Sequence, residues 1–64
     1  MKIVLNGDPL EVAALTLSDL LQEREVSGRV ATAVNEEFVP ASLRGSCHLK
    51  DGDRVEVVAP MQGG

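Results

Sequence analysis

Hydrophobic and polar positions alternate with a period of two over residues 2–6, with Ile3 and Leu5 on one side and Lys2, Val4 and Asn6 on the other. A repeat of two is that of a strand, and Asn6-Gly7-Asp8-Pro9 behind it supplies turn residues, so strand, turn, strand is predicted. The second strand is expected from about Leu10 to Ala13, with Leu10 and Val12 inward and Glu11 outward. Pro9 is acceptable at its start, where the missing N–H costs least.

From Thr16 the period changes. Leu17, Leu20 and Leu21 fall at helical spacing, while Asp19, Gln22 and Glu23 take the opposite face, which predicts a short amphipathic helix. Thr16 with Asp19 three residues on resembles a capping box, the acidic residues suit the positive end of the helix, and Gly28 is the expected stop. At about ten residues such a helix is marginal alone and must gain its stability by packing on a sheet. The helix is expected from about Ser18 to Glu25, packing through Leu17, Leu20 and Leu21 against Ile3, Leu5, Val30, Val55 and Val57.

Residues 29–35 interleave Val30, Thr32 and Val34 with Ala31 and Ala33, a pattern of small residues that places a strand inside the sheet. Asn35-Glu36-Glu37 turns the chain into a brief extended piece, Phe38-Val39, which Pro40 ends. Residues 41–48 carry no period and are expected to be irregular. Lys50-Asp51-Gly52-Asp53 is a turn feeding Arg54-Val55-Glu56-Val57-Val58, the clearest strand in the chain. The order ββαβ(β)β suggests a mixed sheet with the helix on one face and the other face open to partners. After Ala59 the pattern stops, and Pro60-Met61-Gln62-Gly63-Gly64 is expected to be a mobile tail that reaches at most about 17 Å.

Size and composition narrow the function. A chain of 64 residues forms one domain with a core worth only a few kcal/mol net, which argues against a large internal cleft. Hydrophobic residues make up 44%, so the chain is globular, but with one Phe, no Tyr and no Trp the core must be aliphatic. Few aromatics and a net charge of -4 without a basic cluster count against nucleic acid as a partner. The same charge suits basic docking surfaces on protein partners, or serves solubility. The single Cys47 cannot form an internal disulfide, and no ligand set for a metal is evident. No apolar run approaches a membrane span and no secretory signal pattern opens the chain, so the cytoplasm is the expected compartment.

The candidate chemistry lies at the end of the chain. A carboxylate is a poor electrophile, ionised throughout the physiological range because an α-carboxyl titrates near ~3.5. Converted to a mixed anhydride with AMP, it becomes an acyl donor to sulfur or nitrogen. Glycine at positions 63 and 64 lets the backbone pass a narrow channel and leaves the reacting carbonyl without a neighbouring Cβ. Cys47 and His48 are adjacent in an unpatterned segment with no third orienting group, so both are read as structural or surface residues and no side chain of the chain as catalytic.

Asp51-Gly52-Asp53-Arg54-Val55-Glu56-Val57-Val58 followed by Pro60-Met61-Gln62-Gly63-Gly64, with Ala33-Val34-Asn35, Val39-Pro40 and the opening Met1-Lys2-Ile3-Val4-Leu5-Asn6-Gly7, resembles the ubiquitin-like sulfur carriers of thiamine biosynthesis, the ThiS family. The resemblance covers essentially the whole chain. It implies an α+β, β-grasp (ubiquitin-like) fold over residues 1–59, a mixed sheet of four to five strands with one main helix on one face. First and last strands would be adjacent and parallel in its middle, and residues 60–64 would form the tail. It also implies a protein sulfur carrier, not an enzyme: an ATP-dependent activating enzyme adenylates Gly64, a persulfide donor converts it to a thiocarboxylate, and thiazole synthase takes the sulfur. Pro60, Met61, Gln62 and Gly63 would thread into these partners, with no cofactor bound and the free carrier monomeric. Val4 and Val58, apolar on the face away from the core, are the candidate docking patch. One departure is Ala41 after the Val-Pro pair, where the family often has Arg; Arg44 follows three positions on. The related carrier of molybdopterin synthesis and a protein-conjugating modifier use the same terminal activation and are the competing readings.

Overall fold

The computed structural model describes residues 1–59. Strands β1 (Lys2–Leu5), β2 (Asp8–Glu11), β3 (Ala31–Val34), β4 (Glu37–Val39) and β5 (Arg54–Val58) form one sheet in the order β2-β1-β5-β3-β4, and helix α1 spans Leu17–Glu23. β1 and β5 run parallel in the middle, with Val4 opposite Arg54 and Leu5 opposite Val55. The other neighbours are antiparallel. This is the β-grasp arrangement the resemblance implies, with five strands.

Two hairpins follow from turn chemistry. Asn6-Gly7 and Asn35-Glu36 each take positive φ at both positions (49° and 86°, 51° and 71°), the requirement of the tight turn that matches strand twist. Asn tolerates this region because its short polar side chain bonds locally. The third turn closes with Asp53 N–H donating to Lys50 O at 3.0 Å, and Gly52, at φ 88°, supplies the left-handed position. Asp53 is buried because its carboxylate accepts from the Lys50 N–H at 2.8 Å and Asn35 Nδ2 at 3.0 Å. At the same end of β1, the Met1 ammonium donates to Glu11 Oε2 at 2.9 Å and to Val12 O at 3.1 Å. The hydrogen bond to Glu11 raises its pKa above the ordinary value of 8.0.

The helix begins where the sequence places it. Thr16 is the N-cap, extended at φ −123° and ψ 165°, and its Oγ1 accepts from Asp19 N–H at 3.1 Å. Its end differs from expectation. The helix stops at Glu23, two residues short of the expected Glu25, and the chain turns before Gly28, because Glu25 N–H donates to Gln22 O (3.1 Å) and Val26 N–H to Leu21 O (2.8 Å). That is the Schellman pattern with Glu25, φ 58°, in the position glycine usually fills. Gly28 takes its own positive φ in the loop that leads to β3.

Ile3, Val12, Ala14, Leu17, Leu20, Leu49 and Val55 are the buried hydrophobic core, with Leu5, Leu10, Val34, Val39 and Val57 packed against it. Two expected members are corrected: Leu21 and Val30 are only half-buried and lie outside this cluster. A seven-residue helix turns one narrow stripe, Leu17 and Leu20, onto the sheet, and Leu21 is rotated about 100° from Leu20 toward the flank. Val12, Ala14 and Leu49 fill the remaining space, bracketing the helix from either side in sequence.

The segment expected to be irregular contains a 3-10 helix, Ala41–Ser46. Arg44 reaches from it to β3, where Nε donates to Thr32 Oγ1 (3.0 Å) and Nη2 to Val30 O (2.6 Å). Thr32, itself buried, donates to Val39 O at 2.7 Å. These charge-assisted bonds pin the connection to β3. Cys47 and His48 serve the backbone: Cys47 O accepts from Leu17 N–H at 2.9 Å, and His48 bridges Thr16.

Two substitutions check this account by thermal and denaturant unfolding. Leu20→Ala, at a side chain with no exposure, should cost about 2–5 kcal/mol, a large share of the stability of so small a domain. Glu25→Gly should instead stabilise by up to about 1 kcal/mol through relief of the left-handed backbone.

Candidate functional site

Strand alternation divides the sheet into two faces. Ile3, Leu5, Thr32, Val34, Val39, Val55 and Val57 face the helix, which leaves Val4, Pro9, Ala31, Ala33, Phe38, Arg54, Glu56 and Val58 on the open face.

Val4 and Val58 share this face, as the sequence suggests, but do not adjoin. Val4 stands opposite Arg54, four residues before Val58 on the same strand, or about 13 Å along it. The expected single patch of these two residues is therefore corrected to two places. Val4, half-buried, lies beside Pro9 and Arg54, and Val58, 58% exposed, lies beside Ala31 where β5 ends.

The apolar neighbourhood of Val58 extends toward β4 instead. Ala33 pairs with both Glu56 and Phe38, so Val58, Ala31, Ala33 and Phe38 occupy adjoining positions of one half-face. Phe38, the only aromatic residue, is 69% exposed. A large apolar side chain left in water adds nothing to the core, and with Val58, Ala31 and Ala33 beside it the apolar surface is contiguous. Its outward direction was implicit in the alternation: Val39 inward requires Phe38 outward.

Two open depressions lie on or beside this face. One, lined by Val4, Gly7, Glu36, Arg54, Val55 and Glu56, measures about 170 Å³, and the other, lined by Lys2, Ile3, Val4, Pro9, Asp51 and Gly52, about 410 Å³. Among the described residues no group of three or more His, Cys, Asp or Glu side chains could hold a metal ion, and no helix is long and apolar enough to cross a membrane. Cys47 and His48 make no hydrogen bond with one another that would pair nucleophile and base; Cys47 is half-buried against the core.

The expected reactive group, Gly64, and the expected threading residues Pro60, Met61, Gln62 and Gly63 lie outside the described residues. What the fold does describe is their point of departure. β5 ends at Val58, between β3 and the turn that follows β1, at the same end of the sheet as the Val58–Phe38 half-face. Six residues beyond Val58 can span at most about 20 Å.

Comparison with known proteins places these features in context. The model of the ThiS family matches residues 3–64. The chain is 44% identical over 61 residues to the sulfur carrier protein ThiS of Thermus thermophilus, covering 94% of this chain and 95% of that protein. It is 41% identical over 66 residues to a thiazole synthase of Paramagnetospirillum magneticum, covering all of this chain but only 20% of that protein's length. The crystal structure of the thiamine biosynthesis protein ThiS from Geobacter metallireducens superposes with a TM-score of 0.86 at 30% identity, covering both chains in full.

Val58→Asp should weaken association with the activating enzyme and thiazole synthase expected as partners by about 10-fold or more, and Phe38→Ala should do likewise. Both side chains are exposed, so thermal midpoints should stay near the wild-type value. Titration calorimetry beside thermal unfolding separates the two effects, and unchanged affinity for both partners would remove the docking role.

Proposed function

The chain belongs to the ThiS family, and we propose that it is the sulfur carrier of thiamine biosynthesis, with the carboxyl group of Gly64 as the atom-transfer site. The observation that carries this reading is the family match running to residue 64, on a fold whose last strand stops at Val58. Similarity to part of a thiazole synthase favours the thiazole branch over the molybdopterin one.

The carrier is a co-substrate rather than an enzyme. In an activating enzyme a Gly64 carboxylate oxygen attacks the α-phosphorus of ATP, and pyrophosphate leaves. The terminal sulfur of a persulfide then attacks the acyl carbon and AMP leaves; opening of the remaining S–S bond by a thiol frees the thiocarboxylate. The thiocarboxylate sulfur is the stronger nucleophile for the acceptor held by thiazole synthase. ATP and persulfide belong to the partner enzymes, and the cycle runs in the cytoplasm, where ATP is supplied. The carrier works as a monomer when free, since the face that would bury against a second copy is the one its partners engage.

The fold's contribution is positional. Docking through the Val58–Phe38 half-face holds the domain, and the terminal residues thread Pro60, Met61, Gln62 and Gly63 toward the partner's catalytic centre. Two glycines admit the close backbone approach this needs. Since the domain supplies no acid, base or nucleophile, rate depends on where the carboxyl group is held.

Deleting Gly64 tests this directly. Gly63 then ends in a carboxylate of the same intrinsic reactivity, but about 3.5 Å short of its place. ATP-dependent thiocarboxylate formation with purified activating enzyme, followed by mass spectrometry, should fall by about 100-fold or more while stability is unchanged. A residue added after Gly64 should abolish the reaction by tying up the carboxyl group, and Cys47→Ser should retain it. Full conversion of the shortened chain, or lost conversion in folded Cys47→Ser, would overturn the assignment.

A further inference from the structure

The backbone pairing of β1 with β5 is shorter than β5 itself. Its last backbone bond is Asn6 N–H to Val55 O at 2.9 Å. After Asn6 the chain reverses in the Asn6-Gly7 turn, so β1 offers no further backbone to the flank of Val57. The Asn6 side chain fills that place. Its Oδ1 accepts from Val57 N–H at 2.9 Å and its Nδ2 donates to Val57 O at 3.1 Å. A carboxamide carries one acceptor and donors in the same planar arrangement as a peptide group, so Asn6 continues the parallel ladder by one residue with a side chain.

Three features separate this contact from ordinary stabilisation. It is exposed, so water could satisfy the same Val57 groups at little cost. It sits at the last turn of chain before the carrier's terminal residues, with Ala31 opposite Val58 as the tie on the other flank. It also asks more of the position than the turn does: Gly, Asp and Asn all suit a left-handed turn residue, but only Asn presents both an acceptor and a donor to Val57 at neutral pH.

We propose that Asn6 is a positioning residue for sulfur transfer: its side chain clamps Val57 and so fixes the direction in which the chain leaves the sheet toward Gly64. The inference rests on the reading of Gly64 as the reacting residue. Freed on one flank, the end of β5 pivots about its pairing with β3, and a small change of angle at Val57 is magnified over the residues beyond. The domain still docks through Val58 and Phe38, so the loss falls on the chemical step and not on binding.

Asn6→Gly is the main test, because glycine keeps the turn and deletes both bonds. Amide hydrogen exchange of the free variant should be at least about 10-fold faster at Val57 and unchanged at Val55, with the thermal midpoint near wild type. In ATP-dependent thiocarboxylate formation kcat should fall by about 10-fold or more with KM unchanged. Asn6→Asp, which keeps the acceptor and loses the donor, should lie between the two and guards against a folding defect in the glycine variant. Wild-type kcat in Asn6→Gly, or Val57 protection that does not change, overturns the inference and leaves the proposed function standing. A wild-type chain that is never converted overturns the function, and this inference with it.

Discussion

The pairing on which the rest of this molecule depends is the parallel alignment of β1 with β5. A parallel neighbour cannot be reached by a hairpin, so everything between the two strands must cross over and return. That one requirement lays α1 across a single face and puts the first and last strands at the centre of the sheet. It also sets the end of β5 beside the Asn6-Gly7 turn. Joining residues so distant in sequence carries a loop-closure cost, and the buried pair Ile3 and Val55, with Leu17 and Leu20 above them, offsets it.

Much of this was legible in the residues. The period-two runs, the Thr16 cap and the turn at Lys50-Asp51-Gly52-Asp53 state local preferences that the tertiary structure keeps, so element order and the start of the helix followed from them. The residue that turns the chain after the helix did not. Glycine at position 28 offered the easier left-handed residue, but packing of the inward stripe ends after Leu20, and the chain turned at Glu25 despite its Cβ. Leu49 was hidden for the related reason that one apolar residue in an unpatterned stretch has no period to declare itself.

The candidate site shows the same division. That Val4 and Val58 point away from the core could be read from alternation alone, whereas their separation depends on register, which alternation does not specify. Register also joins Phe38 to Ala33 and thereby to Val58, a neighbourhood built from three strands distant in sequence. Asn6 is the clearest case of a residue with two duties. Its turn role is visible in the Asn-Gly pair, but its bonds to Val57 arise only when β5 lies alongside. In the proposed cycle such a domain orients and delivers its own end, with the chemistry left to its partners.

The most direct measurement is the intact mass of this protein purified from cells that also make the proposed activating enzyme, with fragmentation to locate any change. The account predicts a population in which one oxygen is replaced by sulfur, with the replacement confined to Gly64. An unchanged mass despite active enzyme and ATP, or sulfur found on Cys47 instead, would contradict it.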